Sequence, residues 1–163
     1  MTTNRILTFE LTSDRATLEI YCDRQGLDDL ILFLKRLFAL RPDKREHDHW
    51  MVESFGGWEI TEKPQGAHNA LIKMVSPYYW PAEPAEAPLL TFEYEKDDEQ
   101  LEIHGNLPGY QGLLDRLSQL TFDDPKSQAL ELTSPTRGGS GLTSENQNAQ
   151  AALIHRVVVR LVQ

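Results

Sequence analysis

Two long stretches of this 163-residue chain match each other at a fixed displacement. Leu7-Thr8-Phe9-Glu10 returns as Leu90-Thr91-Phe92-Glu93, and Leu18-Glu19-Ile20 returns as Leu101-Glu102-Ile103, 83 positions later. The same shift carries Gly26, Leu30, Leu34 and Leu37 onto Gly109, Leu113, Leu117 and Leu120. After a one-residue deletion the shift is 82, and Gly56-Gly57, Thr61 and Ala70-Leu71-Ile72 fall on Gly138-Gly139, Thr143 and Ala152-Leu153-Ile154. Convergent apolar patterning would reproduce the leucines but not the glycine pair or the Ala-Leu-Ile block. The chain therefore reads as two copies of one module, and any fold assigned to one copy must suit the other.

Each copy opens with two alternating runs. Leu7, Phe9 and Leu11 face one way and Thr8 and Glu10 the other; Leu18 and Ile20 then alternate with Thr17, Glu19 and Tyr21, as in strands with one buried face. Short polar connections, Thr12–Arg15 and Glu95–Glu99, make both pairs hairpins. A helix follows in each copy: Leu27, Leu30, Ile31, Leu34, Leu37 and Phe38 keep helical spacing up to Pro42, and Tyr110, Leu113, Leu114, Leu117 and Leu120 keep it before Pro125. A third strand is expected over His49 to Glu53 and Ala129 to Thr133, then a glycine loop. The last strands are expected over Asn69 to Val75 and Ala151 to Val162.

One such module has little core of its own. The expected fold is α+β: two β-β-α-β-β modules, residues 1–76 and 89–163, forming one pseudo-two-fold body of antiparallel sheets with the helices packed on one face. A proline-rich linker, residues 77–88, joins them.

Composition narrows the function classes. Forty per cent apolar and 25% charged residues suit a globular chain, and the formal charge of −9 argues against nucleic-acid binding and against an anionic membrane. The charge is uneven. Residues 1–82 hold ten Lys+Arg against twelve Asp+Glu, net −2, whereas residues 83–163 hold six against thirteen, net −7. The lone cysteine, Cys22, has inward parity on the second strand and reads as a small core residue, with no disulfide possible within the chain. No apolar run approaches the roughly 20 residues of a membrane helix, and the start Met1-Thr2-Thr3-Asn4-Arg5 lacks a signal-like stretch, so a cytoplasmic protein is expected.

No strong catalytic motif stands out, and no cofactor is expected. Gly138-Gly139-Ser140-Gly141 lacks the Lys-Ser/Thr of a phosphate loop, and no Gly-x-Ser-x-Gly elbow occurs. His47 and His49 would share one face of a strand, which can begin a metal site for a hydrolase, yet such a site needs three or four ligands and the second copy has Ala129 and Glu131 there. A hydrogen-bonding role for the pair is the alternative. Two features suggest a protein contact instead. Glu93, Glu95, Asp97, Asp98, Glu99 and Glu102 crowd one hairpin, where they would steer a basic partner, and Tyr78, Tyr79 and Trp80 offer aromatic anchors beside it. The aromatics would equally serve to pin the linker to the body. Pairing through exposed sheet edges, a purely structural role, is a third possibility.

The order Gly26-Leu27-Asp28-Asp29-Leu30, helix, His47-Asp48-His49-Trp50, then Gly56-Gly57-Trp58-Glu59-Ile60-Thr61 resembles the immunity protein 32 family of bacterial polymorphic-toxin systems. The resemblance covers about residues 16–76 and, more faintly, 99–160, where both histidines are lost. It implies a non-enzymatic antidote that binds a cognate secreted toxin domain tightly and protects the producing cell and its kin. Many such toxins are basic and act on nucleic acids. His47, His49, Gly56 and Gly57 carry the family's motif in this chain.

Overall fold

Alternation and helical spacing produce the expected hairpin and helix in each half of a computed structural model that describes residues 4–83 and 85–163. Met1 to Thr3, and Pro84 of the expected linker, lie outside the described residues. In the first half, β1 (Leu7–Leu11) and β2 (Thr17–Cys22) pair antiparallel with Phe9 opposite Ile20. Helix α1 (Arg24–Arg36) follows, then β3 (Glu46–His47), β4 (Trp50–Met51), β5 (Ala70–Leu71) and β6 (Met74–Tyr79). In the second half, β7 (Leu90–Glu95) and β8 (Gln100–Gly105) pair with Phe92 opposite Ile103. Helix α2 (Leu107–Leu117), β9 (Ala129–Thr133), β10 (Ala152–Ile154) and β11 (Arg156–Leu161) complete the chain.

The strands form two mixed sheets, ordered β5-β1-β2-β11-β9 and β10-β7-β8-β6-β3, with β4 also on β6. This corrects the expectation of antiparallel sheets, because β11 runs parallel to β2 and β6 runs parallel to β8. The physical reason is a crossing. Each expected last strand is two strands: β5 adds to β1 and β10 to β7, and the chain then passes over Ile72–Lys73 or His155 into the other sheet. There β6 and β11 lie beside the hairpin of the other half. Strand β6 also runs across the 76/77 boundary expected from the prolines, and Pro77 sits within it, opposite Ile103. Of the third strand expected over His49 to Glu53 only β4 forms, Glu53 opening a 3-10 turn, while β3 lies ahead of the expected range.

Repeated residues make matching contacts in both halves. Asp23 caps α1 by accepting from the Gly26 amide at 2.7 Å, and Asn106 caps α2 by accepting from the Gly109 amide at 2.9 Å. A Cβ on either glycine would run into the carbonyl of Ile6 or Leu89, so the close approach of helix start and strand start requires glycine. The hydroxyls of Thr61 and Thr143 accept from the amides of Leu7 and Leu90 at 2.9 and 3.0 Å. Gly56 and Gly138 end short 3-10 turns at φ of 91° and 71°.

Core residues of both sheets and both helices meet in one cluster. Phe9, Ile20, Leu34, Phe92, Ile103 and Leu117, among others, surround a residual apolar void of about 10 Å³. That is near the minimum for one water, and its lining offers a water no partner. Burial pushes the Cys22 thiol up to about 12, in keeping with an inert core position. Among the described residues no helix is long and apolar enough to cross a membrane.

The glutamates of the repeated Leu-Thr-Phe-Glu are buried on the outer faces. Glu10 accepts from Thr8 at 2.6 Å and from the amides of Gln65 and Gly66 at 2.9 and 3.0 Å; Glu93 accepts from Thr91 at 2.6 Å and from the amides of Gln147 and Asn148 at 3.0 and 2.9 Å. Each carboxylate ties a loop down over its sheet. Replacing either Glu10 or Glu93 by Ala should lower unfolding free energy by about 1.5–3 kcal/mol, since amides lose a charged acceptor. Chemical denaturation measures this, and a change near zero would contradict the anchoring role.

Candidate functional site

Strand alternation places the outward side chains of three adjacent strands in rows on the second sheet. His47 of β3 lies opposite Tyr78 of β6, and Tyr78 opposite His104 of β8. Their rings are layered, with centroids 5.7 Å and 4.8 Å apart and the Tyr78 and His104 planes only 6° from parallel. Trp80 continues the cluster 5.9 Å from His104, and the Arg45 guanidinium covers Trp80 at 5.0 Å. His49 meets His47 edge-on at 5.2 Å.

A hydrogen-bond network beneath fixes these rings. The Trp80 indole N–H donates to His104 Nδ1 at 3.0 Å, so His104 carries its proton on Nε2 and donates it to Glu102 at 2.9 Å. Glu102 also accepts from Asn148 Nδ2 at 3.2 Å. In the next row, Ser76 donates its hydroxyl proton to Gln100 at 3.1 Å, which leaves His49 Nδ1–H as donor to Ser76 Oγ at 3.0 Å. Burial, with Glu102 and Glu95 nearby, pushes the Tyr78 hydroxyl above the ordinary tyrosine value.

The sequence-derived candidates separate into two groups. Tyr78 and Trp80 point outward and half-exposed, with His47 and His49 exposed beside them; Arg45, Glu46, His47, Tyr78, Tyr79 and Trp80 line a recess of about 210 Å³. Asp97, Asp98 and Glu99 are exposed at the β7–β8 turn, and Glu95 is half-buried at its base. Three candidates are corrected. Tyr79 is 1% exposed, because alternation turns it into the core, where its hydroxyl donates to the Pro42 carbonyl at 2.6 Å. Glu93 and Glu102 are 0% and 5% exposed, their carboxylates engaged within the chain, so neither presents itself to a partner. Gly56 and Gly57 shape the turn after β4; a Cβ on Gly57 would collide with Met51.

Arg45, Ser76, Gln100, His104 and Asn148 were not foreseen. Period-two extension of β6 from Val75 through Pro77 would have paired Ser76 and Tyr78 on one face. The equivalent face of the first sheet differs in kind. There Arg156 pairs with Glu131 at 3.0 Å, and Arg160 with Glu19 at 2.8 Å. Burial opposes the charge on Glu19, but hydrogen bonds from Asn69 and Arg160 outweigh it and hold the carboxyl below its ordinary value.

Among the described residues no group of three or more His, Cys, Asp or Glu is placed to hold a metal ion. No family model, no curated protein and no solved structure matches the chain.

The Tyr78 environment has a pH signature. Its raised value means that folding favours the neutral hydroxyl, so the associated stability is complete below about pH 10, the unfolded value, and is lost as pH rises through the folded one. Difference titration at 295 nm between the wild type and Tyr78→Phe should show one tyrosine ionising above the ordinary range. A normal titration would contradict the half-buried, carboxylate-flanked setting.

Proposed function

We propose that this chain is an immunity protein: a cytoplasmic, non-enzymatic antidote that binds one cognate secreted bacterial toxin domain stoichiometrically. The observation that carries the reading is the outer face of the second sheet. Rings on that face are held in place before any partner arrives, which lowers the ordering cost of binding. Exposed Asp97, Asp98 and Glu99 stand at the tip of the adjoining hairpin, where acidic charge accelerates encounter with a basic protein. An aromatic centre with charge at its edge is the usual anatomy of an energetic contact. The corresponding face of the first sheet is occupied by internal ion pairs, so the two faces are suited to different roles.

The internal repeat fits this reading. We take the two halves to be copies related by a pseudo-two-fold, one of which kept a self-satisfied polar face while the other acquired the aromatic one. The matching sheet orders and the paired contacts of Gly26 with Gly109 and Thr61 with Thr143 support that history.

Co-expression with the protein encoded by the neighbouring reading frame tests the function. Protection of the host is expected, and killing despite abundant folded protein would sink the proposal. With that protein in hand, Trp80→Ala should weaken binding by about 2 kcal/mol, as for a central aromatic anchor. Replacing Asp97, Asp98 and Glu99 by Ser should slow association more at low salt than at high salt. An unchanged low-salt rate would remove the hairpin tip from the interface.

A further inference from the structure

His104 lies between two groups that make opposite demands on it. On one side the Trp80 indole N–H donates to Nδ1 at 3.0 Å, and on the other Nε2 meets Glu102 at 2.9 Å. An indole nitrogen donates and never accepts, so its bond exists only while Nδ1 carries no proton. A charged imidazole is protonated on both nitrogens, and turning the ring over only brings another N–H to the same place. No orientation of a charged His104 therefore keeps Trp80 where it is.

The surroundings also offer the charged form partners. Glu102, two residues away on β8, would hold the Nε2 proton in a charge-assisted bond. The Tyr78 ring of β6 lies 4.8 Å away and 6° from parallel, near enough for a cation–π contact. From β7, Thr91 stands opposite His104 and Glu93 opposite Glu102, so that strand brings no cation. Against the charge act the burial of His104, which is 4% exposed, and the Arg45 guanidinium 5.0 Å over the Trp80 ring. A charge on His47, stacked on the other side of Tyr78 at 5.7 Å, acts in the same direction. Each protonation state of His104 thus has its own set of contacts, and they differ at Trp80.

Only the Trp80 side chain has to move. Its amide donates to the Gly105 carbonyl at 2.9 Å, and its half-buried indole can turn its N–H to water once released. The first half keeps the backbone of this arrangement without its side chains. Val162 stands in for Trp80, its amide donating to the Cys22 carbonyl at 2.9 Å, and Tyr21 stands in for His104, opposite Arg160 where His104 has Tyr78.

We propose that His104 is a proton-operated latch: neutral, it holds the Trp80 indole against the second sheet, and on taking up a proton it lets the indole go. Histidine side chains change charge within roughly pH 5 to 8, so the latch is closed on the alkaline side and opens as pH falls. Proton and indole exclude each other, and each weakens the hold of the other by the same factor. Control of partner docking by the latch rests on the binding function proposed above, whereas the latch itself does not.

Heteronuclear NMR of the full chain over about pH 8 to 5 tests the latch. At the alkaline end His104, assigned by the loss of its signals in His104→Asn, should show a bare Nδ1 and a protonated Nε2. As it takes up its proton, the Trp80 indole resonance should move with the same midpoint, and those of Trp50 and Trp58 should not. In His104→Asn an amide oxygen stands near the position of Nδ1 and takes no proton there, so the Trp80 resonance should lose this pH dependence. Trp80→Phe removes the opposing N–H and should move the His104 titration to higher pH by about half a unit or more, as for one hydrogen bond. A Trp80 resonance unmoved through the His104 titration, a His104 that stays neutral until the chain unfolds, or an unaltered titration in Trp80→Phe would each overturn the latch. Affinity for the partner should fall about fivefold or more between roughly pH 7.5 and 5.5, the lower end of couplings between sites. His104→Asn should leave only the part of this fall that the exposed His47 and His49 contribute. An equal fall in wild type and His104→Asn would overturn control of docking by the latch. Failure of the wild type to protect in co-expression, with Trp80 still following His104, would sink the antidote reading and leave the latch standing.

Discussion

The parallel pairing of β11 with β2 and of β6 with β8 is the constraint on which the remaining structure depends. Each hairpin has one outer edge that its own short strand, β5 or β10, covers, and another that only the opposite half can supply. Neither sheet is complete without both halves. Because both inner faces and both helices share one core, loss of either crossing strand would expose an edge and open that core together.

The crossing also explains how the aromatic face is assembled. Tyr78 and Ser76 come from the first half and His104, Glu102 and Gln100 from the second, and the β6–β8 register brings them side by side. The Glu102 carboxylate, buried on this face, is satisfied by His104 and Asn148, so the aromatic surface has a fixed foundation. The same register on the other sheet sets Arg160 opposite Tyr21 and beside Glu19, and the result is an ion pair.

Much of this was legible in the sequence because it is local. The alternation of Leu7, Phe9 and Leu11 and the helical spacing of Leu27, Leu30 and Leu34 each act within a few residues. The crossings were not legible. Ala70 to Tyr79 keeps an apolar pattern that reads as one strand followed by a linker, and nothing local marks Ile72–Lys73 as the place where the chain changes sheets. Pro77 marks a linker by sequence, yet it sits within β6 opposite Ile103. Burial of Glu93 and Glu102 was equally hidden, since the loop that satisfies them lies about 50 residues downstream. Acidic composition alone therefore overstates the charged surface of the β7–β8 hairpin, whose exposed part is the turn from Lys96 to Glu99.

The two crossings have a consequence for the time order of folding. Glu19 must wait for Arg160, 141 residues later, before the first sheet can close. A chain emerging from a ribosome would present β2 with a bare edge until synthesis is nearly finished, the condition in which slow, long-range strand pairing invites wrong partners. An acidic chain keeps such unfinished molecules apart by mutual repulsion. The first 82 residues carry only −2 of the formal −9, so this repulsion grows mainly as the second half is added.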